Sequence, residues 1–383
     1  MDYFEREIEK IKKEGNYREL PKGKSLGGLI YKDNKKMINL ASNDYLGIAS
    51  DIDLRNNFIS KINKENFIPS YSSSRLLSGG FDAYEELEES LSRLFGSEAA
   101  MVFNSGYHAN IGIIPAISDS KTLILADKLI HASLIDGILL SKSKFLRYHH
   151  NDYEHLEELI EKNKRDYERI IIASESIFSM DGDEADLLRM VDIKEKHNNI
   201  LLYIDEAHAI GVRGESGLGL AQEKGCMNKI DFLVGTFGKA IGSVGAYIIC
   251  KSVIKEFLIN KMRSFIFSTA LPPINIAWTN FVINNLNGSI NYKQRKNNLD
   301  NISKKLREAI ISKGIPCTST SHIIPYIIGD SAIAMQKSNL LQENGFYALA
   351  VRPPTVAKGT SRIRFSLNSN IKEEEILSLI KLL

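Results

Sequence analysis

The 383-residue chain has no run of eighteen apolar residues, so the sequence gives no expectation of a membrane-spanning helix. Its formal net charge is only +2, which gives no strong electrostatic footprint for nucleic acid or an anionic membrane surface. Cysteine is scarce: Cys226, Cys250 and Cys317 are odd in number and far apart, which excludes a disulfide framework and a zinc-type cluster. The start is charged from Asp2 onward, unlike a signal peptide, and with the scattered cysteines this gives the expectation of a cytoplasmic protein. What remains is a chain with ordinary apolar and charged content, long enough for one large domain and a smaller companion, whose partners are small molecules.

Apolar segments bounded by turn residues recur along the chain. Ala99–Phe103, Thr122–Leu125, Phe145–Tyr148, Ile170–Ala173, Leu201–Ile204, Phe232–Val234 and Ala246–Cys250 read as strands, with helical or looped segments between them. That alternation predicts an α/β fold with a mostly parallel central sheet. Before it, Phe4, Ile8 and Ile11 have helical spacing up to Gly15-Asn16, which predicts an amphipathic arm. After the Pro272-Pro273 break, a helical segment near Ile274–Leu286 leads through Asn287-Gly288 to a second, with Leu299, Ile302, Leu306 and Ile310 in phase. The expected division is an arm over residues 1–45, a large domain over 46–275 and a smaller α+β domain over 276–383.

Two strand ends carry chemistry. Asp231–Val234 runs into Gly235-Thr236-Phe237-Gly238-Lys239, where both glycines read as turn-permissive and the lysine is delivered to a strand end. Leu201–Ile204 runs into Asp205-Glu206-Ala207-His208, placing a carboxylate and an imidazole at another. An ATPase reading fails, because Leu233 occupies the first glycine position of a phosphate-binding lysine loop and Ala240 stands where a hydroxyl must follow. Gly217-Leu218-Gly219 lacks the third glycine of a dinucleotide turn, where Gln222 stands, and Ala185 breaks a calcium loop at Asp181-Gly182-Asp183. His149, His150 and His155 lack a fitting cysteine or carboxylate set, so no metal site is expected.

A lysine, an aspartate and a histidine at neighbouring strand ends suit pyridoxal 5'-phosphate (PLP) chemistry, in which a lysine forms a Schiff base and a carboxylate pairs with the ring nitrogen. Asn104-Ser105-Gly106-Tyr107-His108 offers backbone N–H groups, a hydroxyl and a helix start for the phosphate, and Thr236 adds a hydroxyl.

The chain resembles the α-oxoamine synthases of the fold-type I PLP enzymes. The likeness rests on Ser42–Gly47, His131-Ala132-Ser133, Phe178–Asp183, Asp205–His208 and Thr236–Lys239. It implies that Lys239 is the Schiff-base lysine, that Asp205 pairs with the ring nitrogen and His208 with the phenolic oxygen, and that His131 stacks on the ring. Ser179 would touch the cofactor, Ser105, Gly106, Tyr107 and Thr236 would surround its phosphate, and Ser268-Thr269 would reach the site of a second copy in a homodimer with shared active sites. Arg362 would clamp the amino-acid carboxylate, with Asn43 and Arg18 nearby. Two departures stand out: the loop usually rich in glycine is Ser72-Ser73-Ser74-Arg75, and Ala357 replaces a proline. The run Arg352-Pro353-Pro354-Thr355-Val356, followed by Gly359-Thr360-Ser361-Arg362, implies the branch that condenses L-alanine with a pimeloyl thioester. The rivals are a glycine-using ligase or another α-oxoamine synthase of the same family and, outside catalysis, an inert scaffold subunit. Retention of Lys239 argues against the scaffold.

Overall fold

The computed structural model describes residues 2–65, 67–286, 288 and 290–383. The expected turn residue Asn287 lies outside the described residues. Two compact units share the chain. One comprises residues 51–179 and 184–296, and the other residues 1–50, 180–183 and 297–383.

In chain order the strands are β1 (Lys24–Leu26), β2 (Leu29–Lys32), β3 (Lys35–Asn39), β4 (Ala99–Phe103), β5 (Thr122–Asp127), β6 (Lys144–Tyr148), β7 (Arg169–Glu175), β8 (Ile200–Asp205), β9 (Phe232–Thr236), β10 (Ala246–Cys250), β11 (Ile323–Gly329), β12 (Phe346–Tyr347), β13 (Ala350–Val351) and β14 (Ser361–Ser366).

The larger unit is built on a seven-stranded sheet in the order β4-β10-β9-β8-β7-β5-β6. Neighbours from β9 to β6 are parallel, while β10 runs antiparallel to both β4 and β9. Strands β4, β5, β9 and β10 are buried along their whole length, as continuous apolar runs covered on both faces require. The expected mostly parallel α/β sheet is therefore present.

Gly235 departs from its sequence reading. It lies inside β9 rather than in a turn, and a Cβ there would come within 2.4 Å of the Tyr247 ring on β10. Its lack of a side chain makes room for an aromatic, not for a bend.

Two helices of this unit carry site residues and pack very closely. Gly137, in the helix Ala132–Ser141, approaches the helix Gly106–Ile117 so tightly that a Cβ would stand 2.5 Å from the Asn110 carbonyl oxygen. Any side chain at position 137 would push the two helices apart.

The smaller unit contains a four-stranded sheet, β1-β2-β3-β12, and a three-stranded antiparallel sheet, β11-β14-β13. Ile363 and Phe365 on β14 are fully buried, whereas Arg362 and Arg364 share its other face by the two-residue period. The amphipathic arm forms a helix, Asp2–Lys13, with no buried residue, and Tyr3 and Phe4 are exposed. Among the described residues no helix is long and apolar enough to cross a membrane.

Candidate active site

The carboxyl ends of β7, β8 and β9 bring together residues far apart in sequence. Glu175 and Asp205 are register partners at the ends of β7 and β8, and Asp205 pairs in turn with Val234 of β9. Beyond β9 the chain turns back to β10, held by Phe237 N–H donating to the Gly245 carbonyl at 2.9 Å and Ser243 N–H to the Phe237 carbonyl at 2.9 Å. That turn presents Lys239, half-buried, with Nζ 2.8 Å from His208 Nε2. His208 itself is buried.

Asp205 is anchored from below. Asn110 Nδ2 donates to Asp205 Oδ2 at 2.8 Å and to Ser133 Oγ at 2.9 Å, while its carbonyl accepts from the Tyr203 hydroxyl at 2.6 Å. The Ala207 N–H donates to Asp205 Oδ1 at 2.9 Å. Each Asp205 oxygen thus accepts an N–H.

His131 caps the helix Ala132–Ser141. Its Nδ1 lies 2.8 Å from Ser133 Oγ and accepts from Ser133 N–H at 3.2 Å. Ser133 Oγ already accepts from Asn110, so its own hydrogen goes to Nδ1, and the neutral ring carries its proton on Nε2. The residue is exposed, yet its Nδ1 edge faces the protein, and this desolvation is the largest cause holding its pKa below the ordinary imidazole value. Asp205 pulls the other way and Lys239 adds to the lowering.

An anion seat lies beside this cluster. Ser105 is the N-cap of the helix Gly106–Ile117 and accepts from His108 N–H at 3.1 Å. Thr236 Oγ1 accepts from Gly238 N–H at 3.2 Å and donates to the Gly245 carbonyl at 3.0 Å, a hydrogen it would turn to a phosphate, and a Cβ built at Gly106 or Gly238 would lie 3.9 and 3.5 Å from that oxygen. A helix N-terminus, a hydroxyl and two bare glycines therefore converge on one spot. These donors fit a phosphate dianion, and a lysine, a carboxylate and an imidazole adjoin them, as the ring of PLP requires.

The other expected contacts are distributed as follows. Tyr107 is exposed and turns its hydroxyl to Asp136 at 2.5 Å. Thr269 is exposed, with its carbonyl accepting from Asn104 Nδ2 at 2.7 Å and its backbone bridged to Ser74. Ser179 is buried at the border of the larger unit. In the smaller unit, Arg362 is buried, donates from Nε to the Thr360 carbonyl at 3.0 Å and pairs through Nη1 with Asp181. Asn43 accepts from Tyr45 at 3.1 Å and from Arg364, not Arg362, at 3.5 Å. Arg18 is exposed and donates to Thr355 Oγ1 at 3.0 Å.

Sequence reasoning missed Asn110, Ser133, Tyr203 and Glu175. Asn110 carried a readable signal, a lone amide within a mostly apolar helix. It also missed that Asp152 joins His149 and His155 in a cluster, with His149 Nδ1 3.5 Å from Asp152 Oδ2. That cluster is a poor metal holder, because His155 Nδ1 accepts the His149 N–H at 3.2 Å, which puts its proton on the remaining nitrogen.

Residues 35–383 match the sequence profile of aminotransferases of class I and II. The chain belongs to the aminotransferase class I and II family. A Pasteurella multocida relative named "Putative 8-amino-7-oxononanoate synthase" is 50% identical over 379 residues, 99% of this chain and 97% of its own. A structure of SPT with PLP shares 26% identity and a TM-score of 0.88, over 100% of this chain and 96% of that one. The 8-amino-7-oxononanoate synthase from Francisella tularensis shares 27% identity and a TM-score of 0.75, over 90% and 96%. The expected α-oxoamine synthase likeness and fold-type I architecture are thereby borne out.

Proposed function

We propose that this enzyme is a PLP-dependent acyltransferase that condenses L-alanine with a pimeloyl thioester, releases carbon dioxide and yields 8-amino-7-oxononanoate for biotin synthesis. The observation that carries the reading is Lys239 Nζ at 2.8 Å from His208, at the strand ends where Asp205 is anchored by Asn110 at 2.8 Å. Half identity to the Pasteurella relative over nearly its full length supports the choice of substrates.

When bound, PLP supplies an electron sink for the electron pair left on the amino acid's α-carbon. Asp205 would hold a proton at the ring nitrogen, and His208 would hold one toward the phenolic oxygen. His131 would stack on the ring. Ser105, Gly106, Tyr107 and Thr236 would seat the phosphate, Ser179 would add a contact, and Lys239 Nζ would attach the cofactor and then take up the α-proton. Arg362, with Asn43 and Arg18, would bind the substrate carboxylate, a task for which a planar guanidinium is suited.

Two copies would pair in the cytoplasm, with Thr269 of each reaching the other's site. Leu77 and Phe267, both exposed and within three residues of the bridged Ser74 and Thr269, support an apolar contact there.

The test is a thiol-release assay with alanine plus a pimeloyl thioester beside glycine plus an acetyl thioester. The first pair should turn over far faster, although one methyl group supplies only about 1–3 kcal/mol of discrimination in a small pocket. The opposite ranking transfers the assignment to the glycine-using ligase. Borohydride reduction and peptide mapping should place the pyridoxyl group on Lys239, and no label on any lysine would leave the inert scaffold.

A further inference from the structure

Two carboxylates end adjacent parallel strands in register, Glu175 on β7 and Asp205 on β8, so their side chains leave the same face of the sheet. They are treated very differently. Asp205 receives Asn110 Nδ2 and the Ala207 N–H, whereas Glu175, only 2% exposed, receives the His131 backbone N–H on Oε1 at 2.5 Å. His131 is the N-cap residue whose ring Ser133 ties at Nδ1, so its backbone is fixed by Glu175 and its side chain by Ser133.

We propose, on the functional reading above, that Glu175 is a positioning residue which anchors the His131 backbone and so holds the imidazole in place over the cofactor ring. Glu175 does this as a neutral acid while Asp205 carries the charge. Carboxylates side by side in a buried site do not both ionise, and Asp205 has the donors that favour the anion. Burial is the largest cause pushing the Glu175 carboxyl well above the usual range. Of the groups facing it, Asp205 and Asp127 push the same way, while Lys239 and the His131 N–H oppose them. An acid that accepts from a backbone N–H through one oxygen can be replaced by a side-chain amide without losing that bond. An ionised anchor would lose its charge on the same change, and with it the stronger charge-assisted bond.

The experiment compares Glu175→Gln with Glu175→Ala in the full chain. PLP titration of the cofactor-free protein and steady-state turnover should leave Glu175→Gln within about threefold of the parent. Glu175→Ala should lose about tenfold or more in kcat, with a smaller change in KM for the amino acid. A Gln variant as impaired as the Ala variant overturns the proposal, and so does an Ala variant that behaves as the parent. Infrared spectra of the cofactor-free protein near neutral pH provide a reading independent of PLP. The carbonyl band of a protonated carboxylic acid should be present in the parent and lost in Glu175→Gln, and a band absent from the parent or unchanged in the variant overturns the proposal. Failure of the parent to take up PLP while the band behaves as expected would instead refute the functional reading.

Discussion

Replacing Asn110 by alanine tests the buried network most directly, because the side chain is 1% exposed and its partners Ser133, Asp205 and Tyr203 are polar groups in the core. The substitution leaves the Tyr203 hydroxyl, on a fully buried residue, without its 2.6 Å acceptor, at a cost of about 1–3 kcal/mol. It also removes a bond to the Asp205 carboxylate, about 1.5–3 kcal/mol for a charged acceptor. The bond to Ser133 is between neutral groups and Ser133 keeps its bond to His131, so that loss adds less and the expected total is on the order of 3–5 kcal/mol. Urea unfolding of the cofactor-free protein, followed by the fluorescence of Trp278, the chain's one tryptophan, reads that loss. Adding Tyr203→Phe removes the orphaned hydroxyl. The double variant should therefore recover about 1–2 kcal/mol relative to the sum of the two single changes. A single Asn110→Ala change costing under about 0.5 kcal/mol, or strict additivity in the cycle, refutes the network as drawn.

Ser105→Ala should weaken binding of PLP and of inorganic phosphate to the cofactor-free protein, and cost about 1 kcal/mol of stability through the lost cap, with unchanged phosphate affinity as the refuting result. Arg362→Lys should raise KM for the amino acid about tenfold or more with less effect on kcat, since an ammonium cannot bind a carboxylate through two parallel bonds; an unchanged KM removes Arg362 from the substrate site. Glu175 keeps its proton in the fold while the unfolded chain loses it above 4.5, so the native state binds more protons and its stability falls as pH rises above that value. Glu175→Gln removes this term, and the variant's stability should gain on the parent by up to about 1.4 kcal/mol per pH unit until the folded group titrates, whereas parallel profiles refute it. His131 has the opposite sign: the unfolded imidazole protonates first, so this group lowers stability as pH falls below 6.5, a slope that His131→Gln should flatten.

The sheet was legible because most of its strands are buried on both faces and therefore appear as apolar runs, and the site was half legible because Asp205 ends β8 and Lys239 stands in the turn after β9. Gly235 was misread because a glycine before a polar turn looks the same in sequence whether it bends the chain or makes room for a ring across the sheet. Only the β9–β10 pairing, which puts Tyr247 opposite it, separates the two. For Arg362 and Arg364 the shared strand face was readable. Their partners, Asp181 and Asn43, were not, because a two-residue period specifies a face and says nothing of what meets it.

Asn110 and Glu175 escaped for a related reason. Asn110 lies 95 residues from Asp205 in sequence, and Glu175 lies 44 from His131, so no local pattern links either pair. Each residue looked like the ordinary polar interruption of an apolar element. Such an interruption at a buried position of a helix or at the buried end of a strand carries a desolvation cost that the fold must offset with a partner. In this chain the partners are Asp205 and His131, two residues that the family likeness puts beside the ring. A buried polar residue on an element that leads to a strand end is therefore a candidate for positioning the residues that do the chemistry. Asn110 and Glu175 both meet that description beside Asp205, one donating to its carboxylate and the other its register partner on the next strand.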